Sequence, residues 1–282
     1  MDLLNHLIEA PVKSTVIALH CAGANGSEWR QLDTDLGPQF KLVAPNLIGN
    51  AGADRWSGKH AFTLSDEAAS VLSEIDAADE PVHLVGHSYG GAVALRAAIE
   101  RPAKVASLAL YEPAAFHILK TSPDGRTALI DIDVVATEVG RNVLSGAHYA
   151  AARRFFEWAN GQGSWATVDA ETQDRVVRYI PKVCLEYHAQ VNERAPLAAY
   201  RRLKRPVLLL QGEYSIEAMH VIVRQLARAV GPGSVQTVYG AGHMGPISHA
   251  TVVSKMMADH IIAAESRSSQ SESKSQSTRR AA

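Results

Sequence analysis

Six short apolar runs recur along the chain, and they predict strands covered on both faces. Several are nearly continuous in Val, Leu, Ile and Ala, which is typical of buried strands in a parallel sheet. The runs are Thr15–His20, Lys41–Pro45, Val82–Gly86, Val105–Tyr111, Pro206–Gln211 and Val235–Tyr239.

Helical patterns alternate with these runs. They cover Asn25–Leu36, Leu64–Ala77, Gly90–Glu100, Ile216–Val230 and Ser248–Ala264. Strands that alternate with helices predict an α/β fold, in which a mainly parallel sheet is flanked by helices on both sides.

One long segment breaks the alternation. Residues 114–202 contain helical patterns at Ile132–Leu144, His148–Ala159 and Thr172–Asn192 but no convincing strand. We therefore expect a core made of residues 1–113 and 203–264, with 114–202 inserted as an all-helical cap, or lid. Residues 265–282 are rich in serine and charge without apolar periodicity, which predicts a disordered tail.

Composition narrows the class of protein. The 282 residues carry a formal net charge of −1, which argues against nucleic acid or an anionic membrane surface as the main partner. No run approaches the roughly 20 apolar residues of a membrane helix, and no signal peptide is evident. Two cysteines without a CxxC pattern suit a reducing compartment and predict no metal site. We expect a cytoplasmic protein that acts on a small molecule, as a monomer or homodimer.

The strongest candidate for chemistry is Ser88, in the stretch VHLVGHSYGGAVAL. A strand precedes the GHSYGG motif and a helix follows it, so the serine should occupy the tip of a sharp turn. Gly86 and Gly90 lie two residues before and after it, where side chains would collide. The amino end of the following helix favours an anion forming beside Ser88. This context predicts a nucleophile.

A serine hydroxyl needs a base to become nucleophilic. Among twelve histidines, His243 has the best position, because VYGAGHMGPISH follows the last predicted strand and precedes the last helix. Glycines around it allow the loop to cross the strand ends. His87 adjoins Ser88, but neighbouring side chains at a tight turn point apart.

With the stretches LHCAGANGSEW, GHSYGG, PVLLLQGEYS and GAGHMGPISH in this order, the chain resembles the α/β-hydrolase superfamily to about residue 264. It is closest to the capped, cofactor-independent esterase and C–C hydrolase branch. The resemblance implies the nucleophile Ser88, the base His243 and an oxyanion loop at Cys21–Ala22. The two backbone N–H donors of the oxyanion hole would be Ala22 and Tyr89. Cys21 departs from the family pattern, which commonly has glycine there.

The acid of the triad is less obvious. In most of the superfamily it is an aspartate three residues after a glycine in the turn following the cap, but QGEYSIE places Ser215 there. Glu112, Glu213 and Glu217 could each supply the missing carboxylate. We favour Glu112, because it ends the strand that follows the nucleophile's own, and Pro113 should hold it extended. A salt bridge from Glu112 to Arg153 or Arg154 is the structural alternative.

These residues predict acyl transfer. A serine nucleophile indicates an esterase that cleaves a carboxylic ester or related acyl bond of a small to medium apolar substrate, without metal or organic cofactor. The alternatives are a cofactor-free C–C bond hydrolase, a perhydrolase and a non-catalytic ligand-binding homologue. Aromatic residues suited to a pocket are Trp29, Trp56, Phe155, Phe156, Trp158 and Trp165.

Overall fold

Residues 14–50, 52–230 and 234–280 are described in a computed structural model, in which only the backbone is described from residue 268 onward. Within these ranges six strands form one parallel sheet in the order β2-β1-β3-β4-β5-β6. The strands are β1 (Ser14–Leu19), β2 (Phe40–Val43), β3 (Val82–His87), β4 (Val105–Tyr111), β5 (Val207–Gly212) and β6 (Ser234–Val238). Every predicted strand is present, and the predicted fold class is confirmed.

The helices alternate with the strands as predicted. They are α1 (Arg30–Leu36), α2 (Leu64–Ala77), α3 (Tyr89–Glu100), α4 (Pro123–Leu144), α5 (His148–Asn160), α6 (Ala170–Val191), α7 (Leu197–Tyr200), α8 (Glu217–Val230), α9 (Gly245–Ser248) and α10 (Ala250–Arg280). Among the residues that the structure describes, no helix has the length and apolar character needed to cross a membrane.

The sheet is covered on both faces because successive side chains of each strand point in opposite directions. Val16 and Ala18 of β1 pack in one apolar cluster with α1 and α10. Ile17 and Leu19 pack in the other cluster, with α2, α3 and α8. This double burial explains why the strands read as continuous apolar runs rather than as alternating ones.

The connection between β4 and β5 holds α4, α5, α6 and α7, and residues 114–202 contain no strand. Part of this segment has an apolar cluster of its own, which includes Val139, Trp165, Tyr179 and Ile180. Whether it forms a separate cap domain stays a prediction. Residues 1–13 of the predicted core lie outside the described residues.

That residues 265–282 form a disordered tail stays a prediction, and the first residue of this segment contacts the sheet. Helix α10 continues to Arg280, and Glu265 is tied to the sheet. The Ser14 hydroxyl donates to Glu265 Oε1 at 2.6 Å, and His83 Nε2 lies 3.1 Å from Glu265 Oε2. A helix can extend through a polar sequence because its backbone hydrogen bonds are local and Glu, Gln, Lys and Arg are good helix formers.

The sheet topology defines where a site can form. The chain runs from β1 outward to β2 and then returns to the other side of β1 as β3. Ligands of open parallel sheets bind beyond the carboxyl ends of the strands, near the point where the strand order reverses. The segments after β1, β3, β4, β5 and β6 all meet at this edge.

Candidate active site

Ser88 occupies a strained turn between β3 and α3. Its φ is 51°, and it forms the N-cap of α3 with its side chain free of any capping bond. A Cβ on Gly86 would lie 2.7 Å from the Gly90 carbonyl oxygen, and one on Gly90 would lie 2.3 Å from the Leu19 carbonyl oxygen. Glycine is therefore required at both positions. The turn presents the Ser88 hydroxyl at the carboxyl edge of the sheet.

The structure brings Ser88, His243 and Glu112 together in a hydrogen-bonded chain. His243 Nε2 lies 2.9 Å from Ser88 Oγ, and His243 Nδ1 lies 2.7 Å from Glu112 Oε2. An ionised carboxylate only accepts, so His243 carries its proton on Nδ1 and leaves Nε2 free to accept from the serine. All three residues are buried.

Glu112 takes a backbone conformation that the sequence did not predict. Its φ is 42°, in the left-handed region, whereas Pro113 suggested an extended conformation. Hydrogen bonds override that preference: the Glu112 N–H donates to the Leu210 carbonyl at 3.0 Å, and the chain then turns so that the Ala114 N–H reaches the Ser88 carbonyl at 2.9 Å. Ser88 and Glu112 are the two non-glycine residues with positive φ in the described ranges.

The environment of Glu112 keeps its carboxyl ionised. Burial would raise its pKa, but the hydrogen bond and charge of His243 outweigh that effect, with the Ser215 hydroxyl and the Gly212 amide acting in the same direction, so the pKa is lowered. The Gly212 N–H donates to Glu112 Oε1 at 2.6 Å. One carboxyl oxygen thus contacts the histidine while the other is fixed by β5.

The competing carboxylates lie elsewhere. Glu213 is exposed and accepts the Gly240 N–H at 2.8 Å, and Glu217 is exposed and pairs with Arg224 at 2.8 Å. The suggested cap partners of Glu112 are also engaged otherwise. Arg153 pairs with Glu157, and Arg154 pairs with Glu138.

The loop that carries His243 is held by two residues of the sheet. The Tyr111 hydroxyl donates to the Gly242 carbonyl at 2.7 Å, and His87 Nε2 donates to the His243 carbonyl at 2.8 Å. A Cβ on Gly245 would lie 2.1 Å from the Tyr111 oxygen, so the loop needs glycine there. Both ring nitrogens of His87 thus bond groups other than the Ser88 hydroxyl.

His87 is paired with a residue that sequence reasoning missed. Its Nδ1 lies 2.6 Å from Glu28 Oε1, and both side chains are buried. Burial would raise the pKa of Glu28, but the charge and hydrogen bond of His87 and the Cys21 amide lower it, which favours the ionised carboxylate. Glu28 Oε2 accepts the Cys21 N–H at 3.0 Å, so this pair links the loop after β1 to the His243 loop. The available signal in the sequence was an acidic residue next to Trp29 in LHCAGANGSEW.

In the described residues, one group of side chains has the spacing of metal ligands, namely Cys21, Glu28 and His87, with ligand atoms within 4.8 Å of one another. The carboxylate and both ring nitrogens already make the hydrogen bonds described above. Burial raises the pKa of the Cys21 thiol well above its ordinary value, which disfavours the thiolate that metals bind. The group therefore behaves as a hydrogen-bonded network.

A cavity of about 270 Å³ opens above Ser88. Ala22, Tyr89 and His243 line it together with the serine. As the first residue of α3, Tyr89 has an amide with no acceptor four residues earlier in the helix. Both residues predicted as oxyanion donors thus line the cavity above Ser88.

The aromatic residues divide between this cavity and other parts of the fold. Phe155 and Trp158 line the cavity. Trp165 is buried in the cluster of residues 135–183, where Phe156 contacts it edge-on, and Trp29 is buried against α1 and α10. Trp56 packs against Phe62, away from the cavity lining.

A second group of buried polar residues adjoins the cavity and was not predicted. Lys182 Nζ donates to Glu67 Oε2 at 2.8 Å and to Glu186 Oε1 at 3.1 Å, and the Tyr89 hydroxyl donates to Glu67 Oε2 at 2.7 Å. The Tyr179 hydroxyl donates to Glu186 Oε1. In the sequence Lys182 and Glu186 look like an ordinary surface pair four residues apart.

The sequence model of the alpha/beta hydrolase family matches residues 16–255. The chain belongs to the alpha/beta hydrolase family. This hydrolase is 36% identical over 99 residues to lipase LipV of Mycobacterium tuberculosis, which covers 35% of this chain and 37% of LipV. It is 32% identical over 96 residues to the pimeloyl-[acyl-carrier protein] methyl ester esterase of Edwardsiella ictaluri, covering 34% and 35%. The hydrolase thus spans about a third of the length of these curated relatives.

The fold of the hydrolase is also found in solved structures. The enol-lactonase from Burkholderia xenovorans LB400 superimposes with a TM-score of 0.70 over 89% of this chain and 92% of that chain, at 19% identity. At that identity the likeness concerns the fold.

Proposed function

We propose that this hydrolase cleaves a carboxylic ester or a related acyl bond through an acyl-enzyme formed on Ser88. The observation that carries the proposal is the chain of hydrogen bonds from Ser88 through His243 to Glu112, at 2.9 and 2.7 Å, beneath a cavity. A nucleophile, a base and an acid that orients the base are the parts that acyl transfer by serine requires.

The proposed steps follow from the proton positions. His243 Nε2 takes the proton of Ser88 Oγ while that oxygen attacks the substrate carbonyl carbon, and Glu112 stabilises the resulting imidazolium. The amides of Ala22 and Tyr89 receive the oxyanion. The imidazolium then gives its proton to the leaving alcohol as the C–O bond breaks. Water, activated by the same histidine, hydrolyses the acyl-enzyme and restores the serine.

The cavity supports an apolar substrate of small to medium size. Most of its lining is apolar, including Phe116, Ile132, Val135, Phe155 and Met219. The names of two relatives, a lipase and a methyl ester esterase, also favour an ester as the bond cleaved. Hydrolysis by this route needs no metal or organic cofactor.

The test is hydrolysis of p-nitrophenyl esters of increasing acyl length. Ser88→Ala and His243→Ala should each remove nearly all activity and labelling by a fluorophosphonate, and the double variant should be little worse than either one, because the two act as a unit. Ser248→Ala and His249→Ala are matched controls, since they remove a serine and a histidine at the end of α9, outside the cavity lining, and should leave activity unchanged. Multiplicative losses, or full activity without Ser88, would contradict the proposal.

The acid is tested separately. Glu112→Gln should keep the fold but reduce kcat strongly, by up to about 10⁴, because an amide neither fixes the histidine tautomer nor stabilises the imidazolium. Glu213→Gln and Glu217→Gln should cost less than about tenfold, corresponding to about 1.4 kcal/mol. A Glu112→Gln enzyme with near-wild-type kcat would remove Glu112 from the proposed triad.

A further inference from the structure

The loop that carries Ala22 and the loop that carries His243 are not aligned by the sheet. Residues 20–25 follow β1 and residues 239–249 follow β6, and β3, β4 and β5 lie between those two strands. Among the residues that the structure describes, no hydrogen bond joins one loop directly to the other. The proposed mechanism nevertheless needs both at one substrate carbonyl, where a misplacement of about 1 Å can cost about 10² in rate. A third element that bonds both loops would fix their relative position.

His87 makes these contacts from the end of β3. It directly precedes Ser88, and its side chain is fully buried. Its Nε2 donates to the His243 carbonyl at 2.8 Å, and its Nδ1 lies 2.6 Å from Glu28 Oε1. Glu28 Oε2 accepts the Cys21 N–H at 3.0 Å. Consecutive hydrogen bonds thus run from the backbone of the loop after β1, through the residue next to the nucleophile, to the backbone of the base.

The orientation of the His87 ring is fixed by its neighbours. A carbonyl oxygen only accepts, so Nε2 carries a proton, and the hydrogen bond between Nδ1 and Glu28 forms whichever of the two atoms carries the proton between them. The Tyr111 ring packs edge-on against the imidazole, with the ring centroids 5.5 Å apart, and its hydroxyl donates to the Gly242 carbonyl in the same loop as His243. Leaving these buried groups unpaired would cost free energy, which keeps the hydrogen bonds closed.

We infer that Glu28 and His87 are positioning residues, which hold the backbone amides of the loop after β1 at the correct distance from the imidazole of His243. The inference rests on the proposed function, because it takes Ala22 and His243 as parts of the active site. Neither Glu28 nor His87 is among the residues that line the cavity, so they act through the backbone groups that they bind. Correct positioning matters most in the transition state, so its loss should reduce kcat with little change in KM.

Substitutions of Glu28 separate the length of its side chain from its charge. Glu28→Gln keeps both hydrogen bonds without the charge, since the amide oxygen accepts from Cys21 and the amide N–H₂ donates to His87 Nδ1. Glu28→Asp keeps the charge but is one CH₂ shorter, so it cannot reach both partners. Glu28→Met keeps the length and makes neither bond. On p-nitrophenyl butyrate, kcat should stay within about threefold of the wild type for Glu28→Gln and fall at least about tenfold for Glu28→Asp and Glu28→Met, with KM nearly unchanged.

His83 and Glu265 provide a matched control. His83 is also a buried histidine of β3, and its Nε2 lies 3.1 Å from Glu265 Oε2, but it lies at the opposite end of the strand from Ser88. Glu265→Met should lower the Tm without changing kcat or KM, and a purely structural role would give Glu28→Met the same result. Normal kcat in Glu28→Met, or a loss in Glu28→Gln equal to that in Glu28→Asp, would overturn the inference. If Glu28→Met does not fold, the comparison of Glu28→Gln with Glu28→Asp decides alone.

A second measurement does not depend on ester hydrolysis. Backbone amide resonances of isotopically labelled protein report on each loop separately. Glu28→Met should shift the amides of Cys21 and Ala22 and also those of His243 and Met244, whereas Glu28→Gln should leave the second pair nearly unchanged. Unchanged resonances of His243 and Met244 in Glu28→Met would show that the two loops are independent and would overturn the inference. Failure of the wild-type protein to hydrolyse any ester, with these shifts present, would instead reject the proposed function alone.

Discussion

Raising the pH from about 5 to about 8 should destabilise the folded protein through one buried carboxyl group, that of Glu186. Burial raises its pKa from the ordinary 4.5 to about 7, although the charge of Lys182 and the Tyr179 hydroxyl act in the opposite direction. The unfolded chain releases this proton near 4.5, whereas the folded chain holds it until about 7. The stabilising contribution is therefore complete below about pH 4.5 and is lost as the pH rises through 7.

The magnitude follows from the two pKa values. They differ by about 2.5 pH units, and at 1.36 kcal/mol for each unit the whole titration corresponds to about 3 kcal/mol of unfolding free energy. Most of this change falls between pH 5 and pH 8. It is a large fraction of the roughly 5–15 kcal/mol that stabilises an ordinary domain.

The assay is urea unfolding of the wild type and of Glu186→Gln at several pH values across this range. The difference between the two proteins at each pH cancels the titration of groups that Glu186 does not touch. Relative to the wild type, Glu186→Gln should gain about 2–3 kcal/mol between pH 5 and pH 8. Glu171→Gln, on the exposed start of the same helix, should show a flat difference. A flat difference for Glu186→Gln as well would refute the claim that this carboxyl is protonated on folding.

Two further outcomes are expected from other parts of the molecule. Adding Ser215→Asp to Glu112→Gln should recover at least about tenfold of the lost kcat/KM on one activated ester, because Ser215 adjoins the carboxyl of Glu112. No recovery would show that the end of β5 does not reach His243. Glu265→Ala should lower the Tm by about 2–4 °C through lost hydrogen bonds worth about 1 kcal/mol, whereas deletion of residues 268–282 should leave it unchanged. The reverse pattern would place the stabilising contacts beyond residue 267.

The strands and the order of the elements were predictable because a strand that is buried on both faces has apolar residues at successive positions. Continuous apolar runs have few explanations other than covered strands, and the helices between them follow from their own periodicity. The positions of Ser88 and His243 followed from that order, since the ends of parallel strands meet at one edge. The sharp turn that carries Ser88 between β3 and α3 was also predictable, because Gly86 and Gly90 occupy positions where any Cβ would collide with the backbone.

The sequence could not predict the features that depend on tertiary packing, that is, on which face of a helix or strand contacts which neighbouring element. A lysine and a glutamate four residues apart in α6 read as a solvated pair, yet Glu186 is buried beside the cavity and Lys182 is largely covered, where it pairs with Glu67 of α2. The conformation of Glu112 was mispredicted for a related reason. The local preference set by Pro113 is weaker than the hydrogen bonds to Leu210 and Ser88 that form only once β4 has neighbours.

The position of Glu112, the acid of the proposed triad, follows from the pairing of β4 with β5. Tyr111 and Leu210 are register partners, so the residues after them leave the sheet side by side. The Glu112 carboxylate lies between the ends of β4 and β5. One of its oxygens accepts from the Gly212 amide of β5, and the other contacts His243. A carboxylate at the end of either strand therefore faces the same imidazole. In the proposed triad the imidazolium needs a negative charge at Nδ1, and the sheet offers two neighbouring strand ends that can supply it. In this chain the carboxylate of Glu112 follows β4, while β5 contributes the amide of Gly212 that binds its other oxygen.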